Sequence, residues 1–299
     1  DLHPETLVER HINKIVAKLV KENFNLFDTI KACTFNPAKH YSINAGLLRI
    51  NDPADFIIVD NPAEMNVLET WINGIKVFDR GNLLFNYSGA KPINKFNCTE
   101  ISANQIQIKR EGNFLRVIQA FDGELITREI NIPAESEDYI YQSINKDILK
   151  IVVKDRYRNL PPVTGLINGF GLKRGAIASS VAHDSHNIIC VGTNDDDIVN
   201  AVNEIVRLKG GLSVADAGDI ESLALPVAGI MSDKPLKQVA KLYQTLTEKA
   251  KNLGCSLKAP FMTLSFMALL VIPELKISDR GLFDSKQFRF VPVTFNKIN

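Results

Sequence analysis

The sequence predicts a mixed α/β and β fold divided among more than one domain. Three observations carry this expectation. From Glu5 to Glu22 apolar residues recur at Leu7, Val8, Ile12, Ile15, Val16, Leu19 and Val20, the helical spacing of one buried stripe. Between Trp71 and Phe78 the pair Asn73-Gly74 separates two short apolar runs, a strong hairpin signal. After residue 140, strand-like and helix-like segments alternate twice, which suggests an α/β sandwich. At 299 residues the chain is long for one domain, and two or three are expected.

Composition narrows the classes. An apolar fraction of 45% with 23% charged residues suits a globular protein with a sizeable core. A formal net charge of +1 gives no global pull toward nucleic acid or acidic membranes. Cys33, Cys98, Cys190 and Cys255 lie far apart with no C-x-x-C pair, which favours reduced thiols over a disulfide framework. No secretory leader is evident, and no apolar run reaches the ~18 residues of a membrane span. A soluble, cytoplasmic protein is the expectation, with neither nucleic acid nor membrane as partner.

Each element follows from local chemistry. Pro4 suits the first turn of the opening helix, where a missing N–H costs nothing, and Asp1 reads locally as its N-cap. A second helix is expected over 26–32, with Asn36-Pro37 as its stop. Lys91 to Thr99 is polar, contains Pro92 and reads as a linker. Alternation predicts strands at 106–109, 114–118 and 125–130, a loop over 130–138, and a buried strand at 148–153. Lys154-Asp-Arg-Tyr-Arg158 reads as a solvated charged edge in preference to a phosphate or RNA site. The glycines between Gly165 and Gly175 match neither G-x-G-x-x-G nor G-K-[ST], so they are read as permitting close backbone approach beside the His183 cluster. Asp195-Asp-Asp197 is expected to begin a helix over 198–209, acidic groups there suiting the dipole better than calcium. Gly210-Gly211 closes it, strands follow at 212–215 and 222–230, and a long helix spans 234–252. The apolar stretch 260–273 is bounded by prolines, with methionines read as core filler.

One stretch concentrates chemistry. His183, Asp184, Ser185 and His186 form a four-residue cluster that runs into the apolar segment 188–191. This is read as the polar margin of a buried strand edge, where side chains hold fixed directions. Two imidazoles and a carboxylate there suit metal binding, proton transfer or recognition of a polar ligand. A hydrogen-bonded turn joining two strands accounts for the same residues, and spacing alone leaves both readings open.

The same region resembles a known family. Asn168-Gly-Phe-Gly-Leu172 and Val181-Ala-His-Asp-Ser-His-Asn-Ile-Ile-Cys-Val-Gly192 look like the C-terminal domain of the adenine deaminases, in the amidohydrolase superfamily. Leu225-Pro-Val-Ala-Gly-Ile-Met-Ser232, the run 268–277 and Gly281-Leu-Phe-Asp284 agree in the family's order. Residues 45–60 resemble the superfamily's G-x-I-x-x-G-x-x-A-D signature, with Asn51 where glycine is usual. Asp55 then reads as a turn residue pinning a strand. The resemblance implies three parts: 1–41 as the end of a (β/α)8 barrel, 42–90 as a β-sandwich companion, and 91–299 as an α/β domain. His40, in the first part, reads as a helix C-terminal cation.

The family implies hydrolysis of adenine to hypoxanthine and ammonia by a water activated on a divalent metal pair of manganese, iron or zinc. Asp1 resembles one of an aspartate pair that binds metal and shuttles the proton, and His3 is a weaker ligand candidate. The superfamily's H-x-H pair, bridging carboxylate and remaining histidines are not in this sequence. The chain therefore reads as a fragment, inactive by itself. His183, Asp184 and His186 are the second catalytic candidates, bordering a purine pocket or closing over the barrel mouth. Two other classes remain open. One is a purine- or metal-binding regulatory module. The other is a structural role, with 260–273 as a homo-oligomer interface.

Overall fold

The computed structural model describes residues 3–86, 91–136 and 138–297. It divides into two compact units, Asp1–Ala90 and Lys91–Asn299.

The first unit opens with helices α1 (Pro4–Glu9), α2 (Ile12–Lys21), α3 (Leu26–Cys33) and α4 (Phe35–His40). The continuous helix expected over Glu5–Glu22 is broken, because Arg10 and His11 are extended. No glycine or proline marks that break. Tertiary bonds fix the second piece instead: Asn13 Nδ2 donates to the Met65 carbonyl and Lys14 Nζ to that of Glu64, both at 2.9 Å. Val16 and Ala17 pack with Met65 beneath them. Asn25 caps α3 by accepting from the amides of Phe27 and Asp28. Pro37 does not stop α3; the helix ends at Thr34, and Pro37 falls in the first turn of α4, where backbone N–H groups lack helical acceptors. His40 sits in the last turn of α4 beside Lys39, as its cationic reading requires.

Strands β1 (Phe56–Val59), β2 (Val67–Ile72), β3 (Ile75–Asp79) and β4 (Asn82–Leu83) then form an antiparallel meander. Asn73 and Gly74 have φ of 50° and 75°, the left-handed pair that a two-residue hairpin needs. Asp55 is the pin: its two oxygens accept the Asn73 amide at 2.7 Å and the Gly46 amide at 2.9 Å. Those amides hold its carboxyl below the usual range. Asn51 has φ 71°, the conformation glycine would otherwise supply.

The second unit holds β5 (Ile108–Lys109), β6 (Phe114–Gln119), β7 (Arg128–Pro133), β8 (Tyr139–Ile140), β9 (Leu149–Lys154), β10 (Val163–Asn168), β11 (Ala176–Ser179) and β12 (Ile188–Gly192). Helix α5 (Asp195–Leu208), β13 (Gly211–Asp216), β14 (Asp219–Ala224), α6 (Leu236–Asn252) and α7 (Pro260–Phe266) follow. The chain continues through β15 (Leu275–Ser278), β16 (Gly281–Asp284), β17 (Arg289–Val291) and β18 (Thr294–Phe295). A nine-stranded sheet runs β14-β13-β11-β12-β9-β10-β6, with β7 and β18 also pairing β6. Strands β15 to β17 form a second, three-stranded sheet, and β5 pairs β8. The loop expected over 130–138 begins late, because β7 pairs with β6 as far as Pro133. The strand expected at 222–230 ends at Ala224.

Period-two burial sorts the central strands. Ile151, Val153, Ile177, Ile189, Val191, Leu212 and Val214 join the core that includes α6 and α7, whereas Val152, Ala176, Ala178, Ile188, Cys190 and Ala215 join the core of α5. Burial of each branched aliphatic contributes roughly 1.5–3 kcal/mol relative to exposure. The acidic run opens α5 as expected: Asn194 Oδ1 accepts the Asp197 amide, and Asp195 pairs with buried Lys150 at 2.5 Å. Within the segment 260–273, Phe261, Leu264, Met267 and Ala268 are buried in the core with α6, whereas Val271 is exposed. The four cysteines are free. Among the described residues no helix is long and apolar enough to cross a membrane.

Candidate functional site

The turn joining β11 to β12 carries the histidine cluster. Strand β12 is interior, between β11 and β9, so the cluster stands at a strand end and not along a sheet edge. Hydrogen bonds and rings fix the turn. The His183 amide donates to the Ser265 carbonyl at 3.1 Å, and the His186 amide to that of Ala182 at 2.6 Å. The His183 ring stacks on Phe266 of α7, centroids 5.4 Å apart, and meets His186 edge-on at 5.6 Å. His186 adopts φ 51°. Asp184 and Ser185 are exposed. The cluster is thus a hydrogen-bonded turn that also brings two imidazoles and a carboxylate together. Asp1 lies outside the described residues.

The second surprise is the neighbouring charged run. Lys154, Asp155 and Arg156 are 3%, 1% and 3% exposed, so the solvated edge expected for 154–158 is a correction the fold makes. Burial lowers the proton affinity of Lys154, whose Nζ donates to Asn159 Oδ1 and the Leu160 carbonyl. Burial pushes the Asp155 carboxyl upward, but the amides of Tyr157 and Arg158 and the Arg158 guanidinium outweigh it and hold the group low. Arg158 also bridges to Asp279.

Among the described residues, Arg156 has no such carboxylate. Its Nη1 donates to the Ala228 carbonyl at 2.8 Å and its Nη2 to the Tyr157 hydroxyl at 2.7 Å. That hydroxyl in turn donates to the Ser185 carbonyl at 3.0 Å, tying the guanidinium to the histidine turn. The Arg156 amide donates to Asn187 Oδ1 at 3.3 Å, on the far side of the same turn. Gly229 makes the reach possible: a Cβ there would stand 1.8 Å from Nη1. The rings of Tyr157 and Phe96 lie 4.7 and 5.7 Å from the guanidinium carbon. Such aromatic contacts are worth roughly 0.5–2 kcal/mol, against a cost of several kcal/mol for burying an ion. The Nε atom is buried with no partner, and so is His186 Nδ1. Burial lowers the pKa of His186, with His183 and Arg156 adding to the effect and Asp184 opposing it.

The glycine loop does allow close approach, though not beside His183. Backbone or side-chain atoms of Ala120, Ser256 and Ala215 crowd Gly169, Gly171 and Gly175 respectively. The Gly169 and Gly171 amides both donate to the Asp147 carboxylate at 2.8 Å, so the loop cradles an anion of the chain itself.

Metal ligation fails the test of donors. Among the described residues no group of three or more His, Cys, Asp or Glu side chains is arranged to hold an ion. The two clustered imidazoles and the Asp184 carboxylate are not arranged as a ligand set, and a hydrolytic site needs several protein ligands with one position open.

Comparison with known families now bears on this arrangement. Residues 5–77 match the amidohydrolase family, which sets the class as hydrolase-related. Residues 124–289, spanning the central strands, the histidine turn and α5 to β17, match the adenine deaminase C-terminal domain. The chain belongs to the adenine deaminase family. Proteins named adenine deaminase from Methanosarcina barkeri and Methanosarcina acetivorans are 47% and 46% identical to it over 97% of its length. One from Salinibacter ruber is 42% identical over the same share. The chain spans about half the length of these curated relatives, 54–55% of each.

Proposed function

We propose that this chain is part of an adenine deaminase, converting adenine and water to hypoxanthine and ammonia. The observation that carries the reading is the family match over residues 124–289, joined to 47% identity along nearly the whole chain. Residues 1–41 would then close a (β/α)8 barrel, 42–90 belong to a β-sandwich companion, and 91–299 form the α/β domain. A layer missing from the meander is supported by exposed Ile57, Ile72, Ile75 and Leu83. The metal pair, whether manganese, iron or zinc, would be held largely by residues of the complete protein outside these 299. Asp1 is the carboxylate of this chain proposed to join them. His183, Asp184 and His186 border the purine or shield it from water, acting through the fixed turn and not as ligands.

The test is ammonia release. The complete protein should release ammonia from adenine and accumulate hypoxanthine, while residues 1–299 alone should release none above background. A complete protein that leaves adenine untouched would overturn the assignment. Asp184→Asn and His183→Gln in the complete protein should raise KM for adenine or lower kcat, and unaltered values of both would remove the turn from the site.

A further inference from the structure

The Arg156 guanidinium is a buried cation in an unusual state of incompletion. Among the described residues it has no ion-pair partner, and its two terminal nitrogens spend one bond each on a carbonyl and a hydroxyl, both neutral. Charges inside proteins are ordinarily paired. The third donor, Nε–H, is on the edge shared with Nη2, which is the edge that grips two oxygens of a carboxylate or phosphate. Tyr157 occupies only the Nη2 position.

The surroundings are built for this side chain. Gly229 alone permits the guanidinium to lie where it does, and Ser180 Oγ holds that loop by donating to the Gly229 carbonyl at 2.6 Å. Three separate segments converge: Phe96 covers the guanidinium and the Asn97 amide bonds the Arg156 carbonyl, Asn187 takes its amide, and Ala228 takes Nη1. His186 contributes the second orphaned nitrogen, Nδ1, and it too is out of water. Asp184 and Ser185 are exposed, and the Tyr157 hydroxyl bond to the Ser185 carbonyl fastens that part of the turn.

We propose that Arg156 is the floor of an oxyanion-binding site, taking a carboxylate or phosphate oxygen on its Nε–H beside His186. The ligand enters beneath the Asp184-Ser185 turn and supplies the negative charge that the fold withholds. Hydrogen bonds to a buried guanidinium and an adjacent imidazole give an oxyanion two donors once His186 presents its Nδ1 proton. The site is independent of the deaminase assignment and persists in the isolated chain.

The experiment uses the 299-residue chain with inorganic phosphate and with formate, at ionic strength held constant by chloride. The Arg156 Nε–H resonance should shift saturably with each oxyanion, and the His186 ring nitrogens should shift with the same midpoint. Phosphate and formate should also raise Tm, and Arg156→Met should abolish that rise. Equal shifts with phosphate and formate identify the shared oxyanion chemistry, and a response to one alone narrows the class to it. No saturable shift in the wild-type chain, or an equal response to chloride, overturns the site. The wild-type resonance decides the matter even where the variant fails to fold.

Discussion

His186 links the site to pH. Its folded proton affinity lies below the ordinary 6.5 because of burial, His183 and Arg156. Below pH 6.5 the unfolded chain therefore binds more protons than the folded one, and stability falls as pH falls through that window. The loss continues until the depressed folded pKa is passed. His186→Asn, which keeps a residue tolerant of φ near 51°, should flatten this acid limb and leave stability above pH 7 unchanged. Urea midpoints measured from pH 5 to 8 check it, and a wild-type slope retained in the variant would assign the limb elsewhere. The histidines were legible in the sequence because they cluster within four residues. Arg156 was not, because a run of alternating charges carries no mark of burial. What buries it is Gly229, more than seventy positions later, and no local pattern joins the two.

Among the elements, the loop after β10 shows how a glycine pattern can be read correctly in kind and wrongly in place. Its freedom serves Asp147, whose carboxylate accepts the Gly169 and Gly171 amides at 2.8 Å each. Gly169 has φ 102°, and a Cβ there would approach the Ala120 carbonyl oxygen to 2.3 Å. Asp147 itself has φ 52°, which Asn also tolerates. Asp147→Asn should therefore preserve the backbone while removing the charge and one acceptor, costing about 1.5–3 kcal/mol by the usual worth of charge-assisted bonds. Urea denaturation with an unchanged m-value would check that figure, and a neutral substitution would mean that water replaces the lost bond. The hairpin at Asn73-Gly74 and the cap at the start of α5 were legible because turn chemistry is local. The break at Arg10-His11 was not, since hydrogen bonds from Asn13 and Lys14 to residues 64 and 65 decide it.

At the scale of the molecule, the two units bury very different amounts of apolar surface. In the second, interior strands are covered on both faces, and Ile151, Ile177, Val191 and Val214 are wholly inaccessible. In the first, the buried apolar residues among those described are Val16, Ala17 and Met65, while Phe27 is exposed and Ile12, Ile15 and Phe24 remain exposed around a cavity of about 380 Å³. Folding free energy is a small difference between burial and chain entropy, so a unit with so little core sits near the margin. Calorimetry of the 299-residue chain should therefore resolve two transitions, a broad low one from residues 1–90 and a sharp higher one from 91–299. A chain of residues 91–299 should reproduce the upper transition within a few degrees. A dye that binds exposed apolar surface should respond to the full chain before the upper transition and much less to 91–299 alone. One sharp transition for the full chain, lost when residues 1–90 are removed, would show that the second unit depends on the first. The sequence announces the stripe of α2 and the meander's turn, but a stripe says only that a face seeks burial. Whether a face finds its cover is a property of tertiary structure, and within the first unit Ile12, Ile15, Phe24 and Phe27 remain exposed.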